Sequence, residues 1–174
     1  KAGKKILASG GGNCNFTNLH ADPEAFLCSN PHFHKSALAR FTPHDFLAWV
    51  KKHEIAFVEK KAGQLFCRDG AGEILCRLLA ECSAAGVEIR TRRRIGTIQK
   101  SLLFRIETDR EIFESESLVM ATGGLSYPKL GARDFGYQIA RQFHLRTIPS
   151  RPALVPLVYA DADRRAFHML SGVS

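Results

Sequence analysis

Ser9-Gly10-Gly11-Gly12-Asn13-Cys14-Asn15-Phe16-Thr17-Asn18 is the stretch on which the reading of this chain turns. Its consecutive glycines carry no Cβ, so the backbone can turn through left-handed conformations and lie close against a ligand. Asn13, Asn15, Thr17 and Asn18 set short donors and acceptors around that bare backbone. The combination suits a phosphate, a ribose or a flat heteroaromatic ring. Downstream, Ala121-Thr122-Gly123-Gly124 closes the apolar run Leu118-Val119-Met120-Ala121. Continuous apolar runs of this kind mark strands buried in a parallel sheet, and ligands in such sheets sit beyond the carboxyl ends of the strands. Either glycine site alone is equally well a plain tight turn. Together they point to a dinucleotide cofactor.

The segments between the two sites predict an α/β layout. Ile6-Leu7-Ala8 feeds the first loop as a short apolar stretch. Residues 34–41 predict a helix, and Thr42-Pro43 predicts a fresh start, with Thr42 as N-cap and proline at the first helical position. Phe46, Leu47, Trp49 and Val50 form the apolar stripe of that second helix, which places Trp49 in the core. Ile55–Glu59 and Gln64–Arg68 predict a hairpin around Lys60-Lys61-Ala62-Gly63. Glu73–Ala85 predicts a helix stopped by Gly86, and Val87-Glu88-Ile89 a strand after it. Ile95–Gln99, Leu102–Thr108 and Glu111–Glu114 predict an antiparallel meander, and 135–143 a last helix. Pro149, Pro152 and Pro156 suggest a crossing into another domain near residue 150.

Composition narrows the partners. The 174 residues suffice for a domain with a real core and carry a formal charge of +8. Part of that charge is the run Arg90-Thr91-Arg92-Arg93-Arg94, which has no aromatic beside it. Solvated charge is its first reading, an anionic ligand or domain contact the second, and nucleic acid the last. Cys14, Cys28, Cys67, Cys76 and Cys82 form no CxxC pair and no zinc spacing, which fits reduced thiols in a cytoplasm. The histidines match no metal pattern, so no metal is expected. No apolar run reaches a membrane-spanning length and no leader is visible.

Gly3-Lys4-Lys5-Ile6-Leu7-Ala8 with the glycine run through Asn18 closely resembles the GRKIL-SGGGRCN-TN signature of bacterial NAD(P)/FAD-dependent oxidoreductases, the aminoacetone oxidase and bile-acid reductase-like flavoprotein family. Ala121–Pro128 with Gly131 and Gly136 resembles the family's second signature. Arg151-Pro152-Ala153-Leu154-Val155-Pro156-Leu157 resembles the stretch leading into its inserted domain. The resemblance implies a partial Rossmann-like FAD-binding domain with an antiparallel β-meander over 1–150. It places the start of an inserted β-barrel-like, β-rich domain at 151–174. It further implies a fragment, with a GxGxxG strand-turn expected before Lys1 and the closing part of the FAD domain beyond Ser174.

By the same resemblance Gly10, Gly11, Gly12, Cys14, Asn15, Thr17 and Asn18 lie along FAD, near its ribityl chain and ring. Lys5 approaches the ribose or phosphates, Ile95 touches adenine through its backbone, and Thr122, Gly123 and Gly124 pass near the diphosphate or adenosine. Asn13 stands where the family usually has Arg, which removes a fixed positive charge from the loop. Cys14 is read as a packing residue ahead of a redox partner, because no second cysteine stands beside it in the motif. The implied activity is an FAD-dependent oxidoreductase passing hydride from NAD(P)H to a small organic acceptor. An oxygen-using amine oxidase of the aminoacetone type is the first alternative. A basic RNA-associated protein with structural FAD is the second. No residue declares itself as general acid or base, and Tyr127 is a weak candidate.

Overall fold

The computed structural model, which describes residues 2–151 and Ala160, folds the strands into two three-stranded antiparallel sheets. Gly3, at φ +73°, opens helix α1 (Lys4–Ala8), and the glycine run follows as an irregular 3-10 turn over Ser9–Gly12. The apolar stretch Ile6-Leu7-Ala8 is therefore the end of a helix. Strand β1 (Asn15–Asn18) comes next, then helices α2 (Lys35–Arg40) and α3 (Pro43–Lys52). The start of α3 is fixed by a reciprocal capping box: Asp45 N–H donates to Thr42 Oγ1 at 3.1 Å, and Thr42 N–H donates to Asp45 Oδ2 at 2.7 Å. The Thr42 hydroxyl, which donates to Asp45 Oδ2 at 2.7 Å, and then the Thr42 N–H hold the Asp45 carboxyl below its usual range.

Strands β2 (Phe57–Glu59) and β3 (Gln64–Cys67) form the expected antiparallel hairpin, and β1 adds antiparallel to the other edge of β3, giving the order β1-β3-β2. Helix α4 (Gly72–Ala84) stops as the sequence predicts, with Gly86 left-handed at φ +69°. Strands β4 (Ile95–Lys100), β5 (Phe104–Thr108) and β6 (Ile112–Ser115) make the predicted meander, and helix α5 (Phe135–Gln142) follows.

The main core sits between the first sheet and helices α3 and α4. Cys14, Val50, Ile55, Cys67, Ala71 and Ile74 are buried there, with Ile6, Leu7, Phe16, Phe46, Trp49, Phe57 and Leu78 packed around them. Phe16 meets Phe46 and Phe57 edge-on, with centroids 5.7 and 6.0 Å apart. Trp49 packs here as expected, and its indole N–H donates to Glu81 Oε1 at 2.8 Å, tying α3 to α4.

Two expected strands are absent. Val87–Ile89 and Leu118–Ala121 are both irregular, and neither has a ladder partner among the described residues. The physical reason is the same for both. A parallel strand exists only through a partner brought by a crossover, whereas a hairpin finds its partner a few residues away. Both described sheets are antiparallel. Leu118 and Met120 face an apolar cleft of about 420 Å3 beside Phe104, Ile139 and Phe143, while Val119 points outward and is 84% exposed. The inserted domain expected over 151–174 lies outside the described residues, apart from Arg151 and Ala160.

Candidate functional site

The first glycine loop is held by backbone hydrogen bonds on its core side. Cys14 N–H donates to Ser9 O at 3.0 Å, Cys67 N–H to Asn13 O at 2.8 Å, and Ala71 N–H to Gly12 O at 2.8 Å. Ser9 Oγ donates back to Ile6 O at 2.7 Å, joining the loop to α1. Gly10 is the constrained position: at φ +57° a β-carbon would lie 2.5 Å from Asn15 N and against the Phe66 ring. Gly11, at φ +66°, has nothing within 4 Å of that direction, so bare backbone faces open space.

That open space is a cavity of about 300 Å3 lined by Lys5, Ala8, Ser9, Gly10 and Gly11 from one side and by Ser126, Tyr127 and Leu130 from the other. Residues far apart in the chain therefore meet across it. The second wall is a tight turn in which Leu130 N–H donates to Tyr127 O at 3.0 Å, with Tyr127 itself left-handed at φ +63°. Lys5 joins the two glycine sites, because a β-carbon on Gly123 would come within 2.8 Å of Lys5 Nζ. Gly136, in the first turn of α5, lets that helix approach Thr122, whose Oγ1 would be 3.1 Å from a β-carbon there.

Lys5 is the single charged residue lining this cavity, and it has no ion-pair partner among the described residues. The lining thus suits an anionic group held against backbone. Its volume is at the low end for ligand sites, enough for part of a dinucleotide. Among the described residues no cluster of metal-ligating side chains forms.

The other sequence-predicted residues lie elsewhere. Gly12 continues the loop, and Cys14 turns inward, 7% exposed, beside Cys67. Burial foremost, and then Cys14, push the Cys67 thiol up to about 11. Asn15, Thr17 and Asn18 lie on β1. The Asn15 amide, with its nitrogen turned inward, donates to Thr17 O and Leu65 O at 3.1 Å each. Asn18 Oδ1 accepts from His20 N–H at 2.7 Å. Ile95 opens β4 in the other sheet and does not line the cavity. Thr122 and Gly124 are exposed next to Gly123.

Sequence reasoning did not single out Ala8, Ser9, Ser126 or Leu130 as cavity residues, nor Phe66 beside Gly10. Phe66 carried a signal: it alternates with the buried Leu65 and Cys67, so it occupies the face of β3 turned away from the core.

The chain is 48% identical over 175 residues to the ribosomal RNA dihydrouridine synthase of Escherichia coli (strain K12), covering 100% of this chain and 44% of that protein. It is 45% identical over 179 residues to the ribosomal RNA dihydrouridine synthase of Haemophilus influenzae, again covering 100% of this chain and 44% of the relative. It is 32% identical over 157 residues to the 3-dehydro-bile acid delta(4,6)-reductase of Clostridium scindens, with 89% of this chain and 38% of that protein covered. The chain thus spans less than half the length of each of these relatives. The family described as the HI0933-like protein Rossmann domain matches residues 1–155. With two glycine sites meeting over a lysine, and with that match, this chain belongs to the HI0933-like Rossmann-domain family of FAD-binding flavoproteins.

Proposed function

We propose that this chain forms part of the flavin site of a reductase that adds two hydrogens across a ring carbon–carbon double bond, with uridine in ribosomal RNA as the substrate. The observation that carries the flavin part is the convergence of Lys5, Gly10, Gly11 and the 126–130 turn on one cavity. Side-chain-free walls at Gly10 and Gly11, with a cation between the two glycine sites, fit the diphosphate or ribityl part of FAD. The relatives' names supply the reaction class. A dihydrouridine is a uridine with its C5–C6 double bond saturated, and a delta(4,6)-reductase also removes ring double bonds.

Flavin, when bound, supplies the two-electron chemistry, with NAD(P)H as the proposed reductant. The chain's own part is to bind and orient. Lys5 balances the anionic portion of the cofactor. Gly10, Gly11 and Gly123 let it approach the backbone, with Gly12, Thr122 and Gly124 continuing those edges. Asn15, Thr17 and Asn18 run from the loop along β1, and Ile95 offers backbone groups to adenine. Because Asn13 replaces the family's usual arginine, Lys5 carries the positive charge at this loop. Cys14 is a packing residue of the loop's inner side, and the raised Cys67 thiol stays protonated at neutral pH.

The proposed partner differs from the order that composition alone suggested. Arg90 and Arg93 are tied to Glu88 and Glu111, which accounts for part of the arginine run. Arg92 and Arg94 have no ion-pair partner among the described residues, so a basic surface remains for RNA.

The test uses the full-length protein with FAD, NADPH and unmodified ribosomal RNA under nitrogen. The expected result is bleaching of the flavin bands and a gain of two hydrogens on a uridine, read by mass spectrometry of RNA digests. Bleaching without any RNA product would overturn the substrate. Rapid reoxidation in air with peroxide release would favour the amine-oxidase alternative.

A further inference from the structure

We propose that the outer face of the β1-β3-β2 sheet is a stacking platform that delivers a single-stranded RNA base beside the glycine loop. This inference rests on the RNA reading above and assigns that reading a surface. Leu65 and Cys67 point from β3 into the core, so Phe66 lies on the opposite face. Its register partners across the sheet are Asn15 on β1 and Val58 on β2, both solvent-exposed. Lys60 Nζ rests over the Phe66 ring, 4.1 Å from its centroid. Lys60 has no ion-pair partner among the described residues. The edge of the same ring bounds Gly10, where a β-carbon would come within 2.9 Å of it. An aromatic ring and a free cation are thus contiguous with the loop that lines the cavity.

Charge selects the occupant. A base stacks on an aromatic ring whatever its identity, and a neighbouring cation holds the phosphate that comes with it, which is how single strands are held. The chain's charge of +8 repels cationic partners and attracts a polyanion. The face lies across the sheet from α3, which packs on the core side through Val50. A nucleic-acid strand on the outer face therefore displaces none of the core.

The test measures binding of a fluorescein-labelled single-stranded oligouridine RNA to the full-length flavin-loaded protein by anisotropy at several salt concentrations. Lys60→Glu is expected to weaken binding about tenfold and to flatten its salt dependence. Phe66→Leu is expected to weaken it about fivefold or more through lost stacking. Lys52→Glu, the same charge change on α3, is expected to leave the affinity unchanged. Retained flavin absorbance in each variant reports an intact loop, and Lys60→Glu does not touch the core if Phe66→Leu proves unstable. Equal affinities for wild type, Lys60→Glu and Phe66→Leu would overturn the platform while leaving the RNA reading standing. An equal loss in Lys52→Glu would also overturn the platform, since it would mean diffuse attraction. A wild-type protein that holds flavin but binds no RNA would overturn the platform and the RNA reading together.

Discussion

Around the first glycine run, Gly12 O and Asn13 O accept from Ala71 and Cys67, and Cys14 closes inward onto a core shared by α3, α4 and the first sheet. Around the second, Leu118–Gly124 runs without a ladder among the described residues and meets its surroundings through Leu118, Met120 and the Lys5–Gly123 approach. The difference is one of where partners lie in the chain. Strand β3 finds β2 across a short turn, and β1 joins it through a loop fastened to the same core. The 118–121 segment has a strand's composition without a neighbouring partner. One region is set by packing, and the other is placed by a few contacts at its end.

The largest expected effect lies in the packed region. Leu65 is 1% exposed, so Leu65→Ala is expected to cost about 2–5 kcal/mol in chemical denaturation. At Val119, 84% exposed, Val119→Asp is expected to change stability by less than about 0.5 kcal/mol. A cost at Val119 approaching that at Leu65 would break the comparison, because it would mean that the segment is a buried strand in the full-length protein.

A second effect, smaller than the loss at Leu65, sharpens the same contrast through pH. Burial raises the Cys67 thiol from 9.0 to about 11, so the folded state favours the protonated form. Its contribution to stability is therefore complete below pH 9.0 and is lost as pH rises from there toward 11. Wild type is expected to lose stability over that window more steeply than Cys67→Ala, and native Cys67 to resist alkylation by iodoacetamide at pH 8. Rapid alkylation there would show that the wall behind the glycine loop opens.

Much of this was legible in the residues. Thr42-Pro43 marked the start of α3, Gly86 the end of α4, and the Lys60–Gly63 turn the β2–β3 hairpin, because caps and turns act within a few residues. Val87-Glu88-Ile89 and the apolar run at 118–121 misled, because strand-like composition states that a strand can form and not that a partner is present. At the site, glycines and asparagines advertised the loop, and Gly10 is irreplaceable for reasons of space. The opposite wall at Ser126, Tyr127 and Leu130 was not legible as a wall, since only the folded chain brings it to Lys5. The duties of Asn15 and Asn18 as local backbone partners were likewise invisible, because any donor-rich loop can spend its side chains on itself.

The most direct test of the central claim is flavin affinity in the full-length protein with Lys5→Ala. Lys5 is exposed and outside the core, so unfolding of the flavin-free variant should match wild type within about 0.5 kcal/mol. If the two glycine sites form one flavin cavity around this cation, FAD affinity should fall about tenfold or more, as expected for a lost charge-assisted contact. FAD binding by Lys5→Ala equal to wild type would contradict that cavity as the flavin site.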